Sequence, residues 1–228
     1  MAPSAPPPPR LPPADVTESL PSWRYQLGSI RTTFRARSFA GAAVLIQALV
    51  SAADEADHHP DLDLRFPGVV HVTLTTHDAP GVTQLDVGLA RTFDRLAEAL
   101  RCEQSAPAPV LEVAIDALDR AAIVPFWQTV LGYRPEPGAL DDGGVPHTLV
   151  DPARLGPAVW FQRMDEPRAQ RNRIHFDLTV PHDEAEDRVA AALAVGGTLV
   201  SADRARAFWV LADAEGNEIC MCTWQDRE

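Results

Sequence analysis

Four of the chain's seven histidines, His58, His59, His71 and His77, fall within residues 57–78, among the acids Asp57, Asp61 and Asp78. Imidazole is the side chain that gains and loses a proton near neutral pH, so such a cluster points first to proton transfer. Several imidazoles around one pocket can divide the work. One, protonated, donates to a leaving hydroxyl while a neutral one takes a proton from nitrogen, a pairing that suits removal of water from a carbinolamine. Two other readings stand beside it. Clustered histidines can hold zinc, although adjacent side chains such as His58 and His59 tend to diverge from a single ion. The cluster can also be a solvated loop followed by the polar face of a sheet.

The elements that would position these side chains can be read around them. Ser38 is placed to cap an alanine-rich helix over 39–56, which Pro60 stops, so His58 and His59 sit where a helix runs out into a loop. Residues 69–76 alternate as a strand, with Val70, Val72 and Leu74 on one face and His71, Thr73, Thr75 and His77 on the other. At ~3.4 Å per residue, His71 and His77 lie roughly 20 Å apart. They cannot share a small substrate, and His77 at the strand end is the better companion for His58 and His59. Thr83 and Asp86 have capping-box spacing before a helix whose apolar residues are Leu85, Leu89, Phe93, Leu96 and Leu100. Asp86 is therefore a helix cap, a member of the site, or both. Upstream, Trp23–Leu27 and Ile30–Phe34 flank Gly28-Ser29 as an antiparallel hairpin.

Composition narrows the function classes. The 228 residues are 46% hydrophobic with a formal charge of −12, a balance that disfavours nucleic acid or an anionic membrane as partner. Every basic residue is arginine, which removes any lysine base or Schiff base. Three cysteines build no disulfide framework, and a reducing cytoplasm is expected. No basic-then-apolar leader or long apolar run is evident, so no membrane span is expected. The proline-rich residues 1–13 read as a disordered tail, 14–103 as a first domain, 104–109 as a linker and 110–228 as a second domain.

The second domain states one pattern twice. Strand 110–116, helix 119–131, Gly132-Tyr133 and strands 147–151 and 158–162 are echoed by 173–180, 183–195, Gly196-Gly197, 208–213 and 218–223. Each copy is a βαβββ unit whose last loop carries an Asp then a Gly, Asp151 to Gly156 and Asp213 to Gly216. The fold expected for the whole chain is α+β: a four-stranded antiparallel sheet with helices on one face, followed by paired βαβββ modules.

The first domain resembles the pterin-4a-carbinolamine dehydratases. The resemblance rests on Asp57-His58-His59-Pro60, on Thr73-Leu74-Thr75-Thr76-His77-Asp78, on Gly81-Val82-Thr83 and on Asp86. It implies dehydration of 4a-hydroxytetrahydropterin to quinonoid dihydropterin, with pterin as substrate, no metal or other cofactor, and a homo-oligomer, dimer or tetramer. By motif position His58, His59 and His77 would be the acid/base groups with Asp86 in support, and Asp57, Pro60, Thr75, Thr76 and Asp78 would contribute to the pterin pocket. Leu62 stands where many relatives carry Trp.

The second domain resembles the vicinal oxygen chelate superfamily of glyoxalase and bleomycin-resistance type, through Phe126-Trp127, Leu131-Gly132-Tyr133 and Asp213-Ala214-Glu215-Gly216-Asn217-Glu218. Metal-dependent members place ligands on the first and last strand of each module. Those positions here are Glu112, Gln162 or Trp160, His175 and Cys220, a set poor in the oxygen and imidazole donors such ions take. The expectation is a metal-free cup for a small ligand, with Trp160, Phe208 and Trp209 near its wall. Alternatives are a non-catalytic assembly or ligand-sensing module, and a metalloenzyme centred on the second domain. The arginines of 168–173 would balance surface charge or clamp an anion, and His147 and His182 would be loop or surface residues.

Overall fold

The computed structural model describes residues 8–76, 81–167 and 174–226. It divides into two compact units, 1–110 and 111–228, each with its own apolar core.

In the first unit, α1 (Pro13–Ser19) precedes β1 (Arg24–Gln26) and β2 (Ser29–Arg35); α2 (Phe39–Ala56), β3 (Asp61–Arg65), β4 (Val69–Leu74), α3 (Gln84–Ala99) and β5 (Glu103–Ser105) follow. The sheet runs β1-β2-β4-β3, antiparallel throughout, and β5 pairs beyond β1 along the same edge of β2. Ser38 caps α2 by accepting the Gly41 N–H, as its position predicts. The helix buries Ala42, Leu45, Leu49 and Ala53, which meet Ile30, Phe34, Val70, Val72 and Leu74 of the sheet in one core. At 18 residues and a mean hydropathy of 1.3, α2 has the length and composition of a short membrane span, contrary to the sequence expectation, but its buried stripe marks it as a core helix.

Three boundaries differ from the sequence reading. The β1–β2 turn is Leu27-Gly28, both left-handed at φ 47° and 71°, and not Gly28-Ser29. Residues 8–13 are not free tail: the Leu11 N–H donates to the Val82 carbonyl at 2.8 Å, Leu11 packs on the core, and Pro13 opens α1. The stretch 104–109 is not wholly linker either, because Gln104 and Ser105 belong to β5 and the Gln104 amide donates to Thr32 Oγ1 and Asp94.

The second unit repeats its βαβββ plan. β6 (Glu112–Ala117), α4 (Arg120–Leu131), β7 (Arg134–Pro135), β8 (Thr148–Val150) and β9 (Ala158–Arg163) form one module; β10 (Phe176–Thr179), α5 (Ala185–Ala194), β11 (Thr198–Ser201), β12 (Phe208–Ala212) and β13 (Glu218–Cys222) form the other. Both sheets order their strands first-fourth-third-second, and only the first and fourth run parallel. The Asp of each last loop binds the chain that follows it. Asp151 accepts the N–H groups of Ala153, Leu155 and Gly156, and Asp213 those of Glu215 and Asn217. Asp213 also takes the Trp127 indole N–H at 2.9 Å, which ties the second module to the helix of the first.

Candidate active site

The end of α2 decides where the two adjacent histidines go. Asp57 adopts the left-handed conformation (φ 47°), its N–H and that of His58 both return to the last turn, and the helix closes there. The chain emerges with His58 turned inward, 7% exposed, and His59 outward, its side chain 58% exposed. Adjacent side chains diverge, as expected. His59 Nε2 lies 3.1 Å from Asp54 on the last turn of α2, a pairing the sequence analysis did not foresee.

His58 meets Asp86. Its Nε2 lies 2.7 Å from Asp86 Oδ1, and Asp86 has no exposed surface. The other carboxylate oxygen accepts the Thr83 N–H at 2.7 Å and the Thr76 hydroxyl at 2.8 Å. Thr83 in turn receives the Leu85 N–H, which completes a capping box. Asp86 is thus both things its spacing allowed: one oxygen caps α3 and the other holds the histidine. An ionised carboxylate only accepts, so it requires a donor at His58 Nε2; in the neutral ring that leaves the lone pair on Nδ1.

Thr76 belongs to this buried network, bonded to Thr83 and Asp86, and its N–H pairs with the Gly81 carbonyl. Thr75 instead donates to the Gly28 and Gly81 carbonyls, so its hydroxyl braces the loop before α3. His71 sits mid-strand opposite Thr33 and Asp63, with Nδ1 3.0 Å from Thr33 Oγ1, on neither the Asp86 nor the Asp54 network. Pro60 directly precedes β3, and Leu62 packs on the apolar core. His77 and Asp78 lie outside the described residues, as do Arg168, Arg171 and Arg173.

In the second unit the four strand positions do not come together as one set. Glu112 lines a cavity of about 360 Å³ with His147, Thr148, Trp160 and Phe161. His147 therefore faces a cavity, while His182 stacks edge-on against Trp224 at 5.4 Å. Gln162 is exposed and pairs with Asp116 across the β6–β9 ladder. His175 and Cys220 converge with a residue that sequence reasoning missed, Asp177, their ligand atoms all within 4.8 Å of one another. Strand alternation carried the signal, because 175 and 177 share a face. Burial pushes the Cys220 thiol up to about 11, reinforced by its hydrogen bond to Asp177 and by the negative charges of Asp177 and Glu218, with the Cys222 thiol acting in the same direction. Trp209 is buried and belongs to the core, whereas Phe208 is half-buried.

Comparison with known proteins accounts for both units. Residues 9–96 match the family model described as pterin 4 alpha carbinolamine dehydratase. A protein of Thermosynechococcus vestitus named "Putative pterin-4-alpha-carbinolamine dehydratase" is 40% identical over 91 residues, which cover 39% of this chain and 95% of the relative. The chain belongs to the pterin-4a-carbinolamine dehydratase family. The dehydratase match ends before the second unit, where residues 112–222 match the model described as glyoxalase-like domain. Among solved structures, a transcriptional coactivator/pterin dehydratase from Brucella melitensis is 30% identical, with 39% of this chain and 99% of that one covered at a TM-score of 0.37. A glyoxalase/bleomycin resistance protein/dioxygenase family enzyme from Burkholderia phytofirmans is 18% identical, covering 51% and 98% at a TM-score of 0.39.

Proposed function

We propose that the first domain dehydrates 4a-hydroxytetrahydropterin to quinonoid dihydropterin by histidine acid/base chemistry, without a metal. The observation that carries this reading is the buried Asp86–His58 pair at 2.7 Å. A carboxylate behind an imidazole fixes which ring nitrogen carries the proton and supports positive charge on the ring when it accepts another. His58 Nδ1 is thereby equipped to take a proton from a pterin nitrogen. His59, exposed and paired with Asp54, is equipped to donate to the departing hydroxyl at C4a, with His77 the remaining acid/base candidate of the motif. Asp57, Pro60, Thr75, Thr76 and Asp78 would shape the pterin pocket, although the hydroxyls of Thr75 and Thr76 bond within the protein and act through position.

The second domain is proposed to bind a small ligand in its cup, and the whole protein to work in the cytoplasm as a homo-oligomer. Support for self-assembly comes from α2, which leaves Phe39, Val44 and Val50 exposed, with Phe39 against the exposed ring of Phe66. The deciding assay is dehydration of synthetic 4a-hydroxytetrahydropterin by the full chain and by His59→Ala. The wild type should accelerate the reaction and the variant should lose that acceleration with an unchanged circular dichroism spectrum. Equal rates would sink the reading.

A further inference from the structure

The metal-dependent glyoxalase-like arrangement draws ligands from both modules, and this chain does not reproduce it. Glu112 is not among the side chains that converge, and Gln162 is a weak donor. We propose that a different set, His175, Asp177 and Cys220, all from the second module, binds a thiophilic divalent cation, with Zn²⁺ the best match.

Register builds this set. Asp177 sits directly opposite Cys220 in the parallel β10–β13 pair, and His175 lies two residues before Asp177 on the same face. The ligand atoms lie within 4.8 Å of one another. A tetrahedral zinc with bonds of about 2.0–2.3 Å needs ligand atoms about 3.3–3.8 Å apart. His175 and Asp177 are exposed and can turn to close the difference, while Cys220 on the inner strand is the fixed point.

Donor chemistry selects the ion. Sulfur, imidazole and carboxylate together suit zinc or cobalt; magnesium and manganese would prefer oxygen throughout. Viewed from sequence, Glu112, Gln162, His175 and Cys220 are too poor a set for an ion, and Asp177 is the ligand that changes this. Three protein ligands also leave one tetrahedral position for water or a small oxygen-bearing ligand.

The test uses the full chain, stripped with chelator and titrated with Zn²⁺, and separately with Co²⁺. Its readouts are metal content after gel filtration and the thiolate-to-cobalt charge-transfer band. The wild type should retain stoichiometric zinc and show the band. Cys220→Ser should lose the band, and the exposed-site variants His175→Gln and Asp177→Asn should bind at least about tenfold more weakly, the loss typical of removing even an outer partner of a metal site. Circular dichroism confirms the fold of each variant. Excess Mg²⁺ should not displace the zinc, and pterin dehydration should be unchanged in all three variants. No retained zinc in the wild type, a band that persists in Cys220→Ser, or affinities unchanged in both exposed-site variants would overturn the proposal. So would zinc binding that disappears in His59→Ala, which would place the ion in the first domain.

Discussion

Asp86 uses both of its oxygens, and the two uses can be separated by one substitution. In Asp86→Asn the amide oxygen can still accept from Thr83 and Thr76, but the amide nitrogen turned to His58 is a donor. It would force the proton from Nε2 to Nδ1 and remove the base the proposed reaction needs. Dehydration by Asp86→Asn should therefore fall by about 10²–10⁴, the usual worth of a positioned acid/base group, with the fold intact. A variant as fast as its parent would show that the tautomer is irrelevant. Asp151 gives a different residue-scale prediction, of stability. Burial alone would raise its carboxyl, but the N–H groups of Gly156, Ala153 and Leu155 outweigh that and lower it. A depressed carboxyl stabilises the fold above its unfolded value, and that contribution is lost as pH falls through the depressed one. The melting temperature of Asp151→Ala should thus lie furthest below the wild type near neutral pH. The gap should narrow in acid, below the ordinary carboxylate range; a constant gap from neutral to strongly acidic pH would contradict the assignment.

At the scale of elements, α4 packs against the turn that leaves α5 through a contact that admits no side chain. A Cβ on Gly197 would lie 2.6 Å from the Phe126 ring and 2.7 Å from the Ala192 carbonyl. Gly197→Ala should cost about 1–3 kcal/mol in denaturant unfolding, as overpacking of a filled core does. A variant as stable as the parent would mean that the ring swings aside. Capped helices were the most legible elements in the sequence, because Ser38 and Thr83 announce themselves by residue type next to apolar periodicity. Short edge strands were not. β3 reads Asp-Leu-Asp-Leu-Arg and β5 Glu-Gln-Ser, and neither has enough apolar content to be told from a loop until β4 and β2 supply their hydrogen bonds. The same holds for α1, seven residues long and anchored chiefly by Val16 and by the pairing of Leu11 with Val82.

Considered whole, the molecule has two cores, and the proposed assembly depends on the first. On its solvent-facing surface α2 leaves Val44 56%, Val50 39% and Phe39 49% exposed. If that face joins copies of the chain, Val44→Glu should shift the full protein to a smaller species in sedimentation while its monomer fold persists. An unchanged sedimentation coefficient would remove α2 from the interface. The sequence by itself determined the two-domain order, the duplicated βαβββ plan and the His58, His59 and Asp86 motif, because periodicity, repetition and capping chemistry are properties of neighbours along the chain. Only the tertiary structure decided that His58 turns in to Asp86 while His59 turns out to Asp54, that Glu112 parts company with His175, and that Asp177 joins Cys220. The physical reason is the same in each case. A left-handed cap residue and a strand register set which side chains meet, and those are fixed by packing between segments that the sequence holds far apart.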